Sequence, residues 1–167
     1  RVAVEAAVKH YADSLALVHW SRVRGVAVQS LLDVGTGAGF PAVPVAVARP
    51  DWQVVALDGT KKKIDFLACS AAAMGLSNLT AVHAHSAHWD SDRTFDVVTT
   101  RALGSIEECL EVASKFASPG GQVVLFKTEE KVEAEGQEAA RKARHLGLTA
   151  MNPFPYELRA GEETLRR

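Results

Sequence analysis

The stretch Ser30–Asp58 restricts the chain to very few folds. Leu31-Leu32-Asp33-Val34 is a short apolar run carrying an acid; it passes through Gly35, Gly37 and Gly39 and enters Pro41–Arg49, whose apolar content suits a helix. This is the order of a strand, a tight loop and a helix. Glycines in such a loop let the backbone turn with positive φ and let a ligand lie on the main chain with no Cβ in the way. Nineteen residues past Gly39, a second apolar run, Val54-Val55-Ala56-Leu57, ends in Asp58. In a βαβ unit this carboxylate falls beside the glycine loop at the carboxyl edge of a parallel sheet, where it accepts hydrogen bonds from the two hydroxyls of a ribose. The stretch reads as an adenosine site.

The glycine spacing selects among adenosine cofactors. A dinucleotide fingerprint is G-x-G-x-x-G, with the third glycine beneath a pyrophosphate. Here the third glycine arrives one residue early and Phe40 stands in its place, which argues against NAD. The pattern Asp-x-Gly-x-Gly-x-Gly resembles the cofactor loop of S-adenosyl-L-methionine (AdoMet)-dependent methyltransferases. Such a loop carries no phosphate, and Asp33 is placed to brace its N–H groups.

Composition narrows the setting. At 167 residues the chain is read as a single domain, 1–167, with an N-terminal helix over 2–24 and an α/β core over 28–167. A net charge of −1 supplies no general attraction to nucleic acid or acidic membranes, so any RNA contact must come from a local patch. Two cysteines, Cys69 and Cys109, form no C-x-x-C unit, so no zinc site is expected and a reducing cytoplasm fits. No apolar run approaches a membrane span and no signal-peptide pattern opens the chain.

Taken in order, Val4, Val8, Tyr11, Leu15 and Val18 recur at helical spacing and predict the buried face of an amphipathic helix. Strands are predicted at Val28–Val34, Trp52–Asp58, Asn78–Ala84, Phe95–Thr99 and Gln122–Lys127. Helices follow at Pro41–Ala48; at 60–74, capped by Thr60 with Ile64, Leu67, Ala71 and Met74 inward; at 106–117, with Ile106, Leu110, Ala113 and Ala117 inward; and at Glu129–His145. Ser118–Gly121 reads as a turn, and Leu148–Pro155 as a further strand. Strands alternating with helices at this spacing predict a doubly wound, mainly parallel α/β sheet of Rossmann-like type.

Ligands on such sheets bind at the carboxyl ends of the strands. After the third strand come Ser86 and Ala87, whose main chain can meet an adenine edge. After the fourth comes Arg101, a permanent cation suited to a carboxylate or phosphate, or to bracing a loop through carbonyls. After the fifth comes Lys127, a second cation. Lys61, Lys62 and Lys63 open a helix against its macrodipole, either as a solvated run or as an electropositive rim for phosphates. His83, His85 and His88 lack the companion ligands of a metal centre and read as surface histidines.

The run Asp33–Pro50, D-V-G-T-G-A-G-F-P-A-V-P-V-A-V-A-R-P, resembles the GidB/RsmG family of bacterial methyltransferases acting on guanine N7 of small-subunit ribosomal RNA. The likeness extends to Lys9-His10 and Asp13-Ser14, to Lys62-Lys63 with Phe66-Leu67, to Thr100-Arg101-Ala102, and to Pro119-Gly120-Gly121 with Lys127. The P-x-x-P pair is more specific to it than the glycines. The resemblance implies AdoMet contacts at Gly35, Phe40, Ser86, Ala87 and Arg101. Ala87 stands where the family usually has an acid, Gly59 where it has Ser, and Thr128 where it has Gly. The family's N-terminal helices and closing antiparallel strand are not found in the chain.

The resulting expectation is an enzyme that holds AdoMet with Gly35, Gly37, Gly39, Phe40, Asp58, Ser86, Ala87 and Arg101. RNA would meet Lys61, Lys62, Lys63 and Lys127. No catalytic acid–base pair is expected, because guanine N7 carries a free lone pair. The partner is small-subunit ribosomal RNA or the assembling particle. A methyltransferase of a small molecule or protein, and a nucleotide-binding module without chemistry, are the alternatives.

Overall fold

The computed structural model describes residues 7–101, 103–160 and 163–166. Strands β1 (Ser30–Val34), β2 (Gln53–Asp58), β3 (Leu79–His83), β4 (Phe95–Arg101) and β5 (Ala117–Phe126) form one sheet in the order β3-β2-β1-β4-β5. Every pairing in it is parallel. The predicted doubly wound, Rossmann-like architecture is therefore present. Chain direction across the sheet reverses between β1 and β4, and the crevice at that switch point is where such sheets take ligands.

The helices are α1 (Asp13–Val23), preceded by a π-helical stretch Ala7–Ala12, then α2 (Ala42–Ala48), α3 (Lys61–Ala73), α4 (Ile106–Ala113) and α5 (Glu129–His145). Side-chain alternation along the strands sends Leu31, Val54, Ala56 and Val97 to one face, against Leu17, Val45 and Leu67. Leu32, Val34, Val55, Leu57 and Val98 go to the other, against Phe95, Ala113 and Phe116. Both faces are covered, which is why β1 and β2 read as nearly continuous apolar runs.

Four predicted details are corrected. The buried face of α1 is Asp13, Ser14, Leu17 and Ser21, while Tyr11 is 53% and Leu15 39% exposed. Val4 lies outside the described residues. The polar residues turn inward because Asp13 pairs with Arg101 Nε at 3.2 Å and accepts from Tyr156 Oη at 2.7 Å. Met74 caps α3 and is 49% exposed rather than inward. Helix α4 stops at Ala113, and Ser118–Gly121 belongs to β5 across a register shift between Phe95 and Val97. At Gly121 an added Cβ would lie 2.9 Å from the carbonyl oxygens of Phe95 and Ser118, so only glycine passes there. Leu148–Pro155 forms no strand; Pro153 and Pro155 have no N–H to give a ladder, and the pairing begins later. Strands β6 (Glu157–Ala160) and β7 (Glu163–Arg166) make a separate antiparallel hairpin.

Candidate cofactor pocket

A cavity of about 500 Å³ opens over the carboxyl ends of the strands, a size suited to a small organic ligand. Its centre is the junction of β1 and β2. Asp58, 7% exposed, accepts the Gly37 N–H on Oδ2 at 2.9 Å and the Thr60 N–H on Oδ1 at 2.8 Å. The Lys63 ammonium stands 3.6 Å from Oδ2. Burial alone would raise the Asp58 pKa, but the two amides and the lysine outweigh it and hold the carboxylate below its ordinary range. The Thr60 hydroxyl adds a further bond to this carboxylate, which lines the cavity. The Thr60 side chain, predicted to cap α3, makes no capping bond; its own amide is bound by Asp58 instead.

The three glycines divide their tasks. Gly37, at φ 61°, has nothing nearer to an added Cβ than the Gly35 carbonyl at 4.0 Å, so its surface is open to a ligand. Gly39, at φ 98°, lies outside the pocket lining; a Cβ there would meet Val43 at 2.7 Å and Leu67 at 2.8 Å. It serves close packing of the loop on α2 and α3 rather than ligand approach. Gly35 lines the pocket beneath the Leu103 side chain.

Asp33 is fully buried and accepts the Ala42 N–H on Oδ2 at 3.3 Å. Its Oδ1 makes no well-formed hydrogen bond, although the Thr36 hydroxyl stands close enough to act on its charge. Burial pushes the carboxyl up to about 7, against the pull of the Thr36 hydroxyl and the Ala42 amide. The bracing expected of Asp33 is thus a single long bond. Thr36 lines the cavity, between the ligand space and the buried Asp33 carboxyl.

At the β3 end Ser86 lines the pocket and Ala87 does not; the Ala87 N–H faces His85 Nδ1 at 3.4 Å. At the β4 end Arg101 lines the pocket but is engaged with the N-terminal helix. Besides Asp13, its Nη1 donates to the His10 carbonyl and Ser14 Oγ, both at 3.3 Å. Its Nη2 donates to the Lys9 carbonyl and to His10 Nδ1 at 3.2 Å. Phe40 sits between His10 and Tyr11, with ring centroids 5.1 Å from each.

Lys127 is turned inward. It is 8% exposed, and its Nζ donates to the carbonyls of Leu103 at 2.7 Å and Gly104 at 3.0 Å and to Cys109 Sγ at 3.3 Å. All three protons are used, so Lys127 holds the segment that carries Leu103 over Gly35 and is not part of an RNA-facing rim. The lysine run separates similarly: Lys61 pairs with Asp65 at 2.7 Å, Lys63 faces Asp58, and Lys62 is exposed. His83 Nε2 lies 3.1 Å from the Gly59 carbonyl.

The structure therefore gathers Gly35, Gly37, Phe40, Asp58, Lys63, Ser86 and Arg101 around one cavity, and leaves Gly39, Ala87, Lys61, Lys62 and Lys127 outside its lining. It adds Thr36, His10 and Leu103. Thr36 was within the glycine loop and legible there; Leu103 is an ordinary apolar residue with no signal of its own.

A doubly wound sheet with a glycine loop after β1 and an ionised acid at the end of β2 defines a Rossmann-like α/β domain. Beyond that class, the GidB family model, described as rRNA small subunit methyltransferase G, matches residues 3–154, and the chain belongs to that family. It is 38% identical over 160 residues to the ribosomal RNA small subunit methyltransferase G of Gloeobacter violaceus, covering 90% of this chain and 60% of that protein. Against the same enzyme of Lactococcus lactis strain SK11 it is 31% identical, covering 95% of this chain and 68% of the relative. Among solved structures, P. horikoshii TYW2 in complex with MeSAdo superposes with a TM-score of 0.66 at 17% identity, over 88% of this chain and 59% of that one, a likeness of fold.

Proposed function

We propose that this chain is an AdoMet-dependent methyltransferase that modifies guanine N7 in small-subunit ribosomal RNA, on the free RNA or the assembling particle. Family membership supports the reaction class, and the observation that carries the cofactor is Asp58, an ionised acid lining the cavity beside the open face of Gly37. The cavity's size and the bare Gly37 surface fit an adenosyl ligand. Asp58 would hold the ribose hydroxyls, Ser86 would stand at the base, and Phe40 and the loop amides would line the rest. When bound, the cofactor supplies a methyl group activated on a sulfonium.

The residues of the chain then have little proton chemistry to perform. Guanine N7 is unprotonated at neutral pH, so in-line attack needs positioning and exclusion of water rather than a base. Arg101 contributes by fixing the N-terminal helix as one wall, and Lys127 by fixing Leu103 as another. The exposed lysines at the start of α3 supply a local positive edge that the net charge of the chain does not. This reading places the protein in the cytoplasm with the ribosome; among the described residues no helix is long and apolar enough to cross a membrane.

The test is transfer of labelled methyl from AdoMet to small ribosomal subunits lacking the modification. Label recovered as base-labile 7-methylguanine is the expected result. A protein that binds S-adenosylhomocysteine yet labels no RNA would keep the cofactor and remove the acceptor.

A further inference from the structure

His10 lines the pocket from the N-terminal helix, and its two ring nitrogens are in different situations. Nδ1 lies 3.2 Å from Arg101 Nη2. A guanidinium has donors only, so Nδ1 must be the acceptor, and the neutral imidazole carries its proton on Nε2. Nε2–H lies on the side of the ring away from the guanidinium and, on this exposed residue, has no protein partner among the described residues. The ring plane is set by Phe40, 5.1 Å away and tilted by 35°. Arg101 is itself anchored on Asp13 and on main-chain carbonyls, so the whole arrangement is held from behind. The result is one hydrogen-bond donor of fixed tautomer on a residue that lines the cavity.

Its place along the sheet edge matters. Asp58 marks the ribose end, over β2, with Ser86 beyond it over β3. His10 stands at the other end, on the N-terminal helix beside Arg101 of β4, the side from which a methyl acceptor would approach. Guanine presents two acceptors side by side on the edge that contains N7, namely N7 and O6, whereas adenine presents an N6 amino donor beside its N7. A fixed N–H donor next to the attacked nitrogen accepts the first pattern and repels the second.

We propose that His10 is a base-recognising residue that donates from Nε2–H to O6 of the acceptor guanine and so selects guanine over adenine. The proposal rests on the methyltransferase reading above and adds the group that reads the base. The same donor chemistry would suit the carboxylate of the cofactor, and the experiment separates the two.

Small subunits are reconstituted with RNA carrying either guanine or 2-aminopurine, which lacks O6, at the methylated position. Turnover is compared for the wild type, His10→Leu and His10→Gln, alongside titration of each protein with S-adenosylhomocysteine. The wild type is expected to favour guanine strongly. His10→Leu should lose about tenfold in kcat/KM on guanine and little on 2-aminopurine, narrowing the preference by the same factor. His10→Gln, which returns an N–H near the Nε2 position, should restore most of it. S-adenosylhomocysteine affinity should stay within about twofold throughout. Equal losses on both bases would reduce His10 to a structural wall and overturn the proposal, and a loss of S-adenosylhomocysteine affinity matching the loss of turnover would reassign the donor to the cofactor. If the wild type labels neither base, the acceptor reading itself falls and takes this proposal with it.

Discussion

The two halves of the pocket edge use charge in opposite ways. At the ends of β1 and β2 the charged groups are carboxylates, and they collect main-chain N–H groups from nearby turns: Asp58 takes Gly37 and Thr60, Asp33 takes Ala42. At the ends of β4 and β5 they are cations, and they collect main-chain carbonyls from distant segments: Arg101 takes Lys9 and His10, Lys127 takes Leu103 and Gly104. The acids therefore shape the site locally, Asp58 from the cavity lining and Asp33 from the buried layer behind it. The cations fasten remote pieces of chain as walls and have few protons to spare. A charge at a strand end is a ligand-binding group only where its valences are left over.

The largest expected effect breaks the symmetry within the acidic half. Asp33 ionises near 3.8 when unfolded and near 7 in the folded chain, because burial with one poor hydrogen bond disfavours its charge. Between those values the folded state holds the extra proton, so stability falls as pH rises from about 4 to about 7, by on the order of 4 kcal/mol in total. Asp58 has the opposite sign: its depressed pKa contributes stability above the unfolded value that is lost only as pH drops below it. In urea melts at pH 5 and pH 8, Asp33→Asn should remove about 3 kcal/mol of the wild-type difference. An unchanged pH dependence would show that the carboxyl finds partners that lower its pKa.

Asp58→Asn tests the ligand side of the same half. Replacing a carboxylate that meets two hydroxyls should weaken S-adenosylhomocysteine binding roughly 100-fold by calorimetry, since hydrogen bonds to a charged group are worth about 1.5–3 kcal/mol each. Unaltered affinity would remove the ribose assignment.

These halves also differ in how far the sequence reveals them. The glycine loop, Asp58 and the alternating strands were legible because each is a local signal: a spacing, a turn residue, an apolar run. Arg101 and Lys127 were visible as cations at strand ends, but what they hold lies about 90 residues away for Arg101 and about 24 for Lys127, and no pattern in their neighbourhood announces it. The N-terminal helix was misread for the same cause. Its apolar stripe at Tyr11 and Leu15 is exposed, and its buried face is chosen by Asp13, whose partners Arg101 and Tyr156 come from the carboxyl end of β4 and from just before the hairpin.

Lys127→Met sharpens the cationic half. The methionine keeps the volume but abandons the Leu103 and Gly104 carbonyls, so a loss of about 1–2 kcal/mol in denaturant unfolding is expected. S-adenosylhomocysteine affinity should fall several-fold as Leu103 loosens over Gly35, while the salt dependence of RNA binding stays as it was. A shallower salt slope would instead make Lys127 a phosphate contact and undo the contrast drawn between held and free cations.

The smallest effect concerns the lysine that neither half uses. Lys61 is paired with Asp65 and Lys63 faces Asp58, whereas Lys62 is exposed on the first turn of α3, with Phe66, 62% exposed, one turn further along. A cation in that position contributes to a polyanion by releasing one counterion and contributes almost nothing to the fold. Lys62→Ala should therefore leave unfolding within about 0.5 kcal/mol of wild type and S-adenosylhomocysteine binding unchanged, while reducing the log–log salt slope of small-subunit RNA binding by about one. Lys61→Ala serves as the internal comparison, because its charge is already partly neutralised by Asp65 and its slope should change less. Equal changes for the two would mean that exposure at the helix start, and not the pairing seen in the structure, decides which lysines meet RNA.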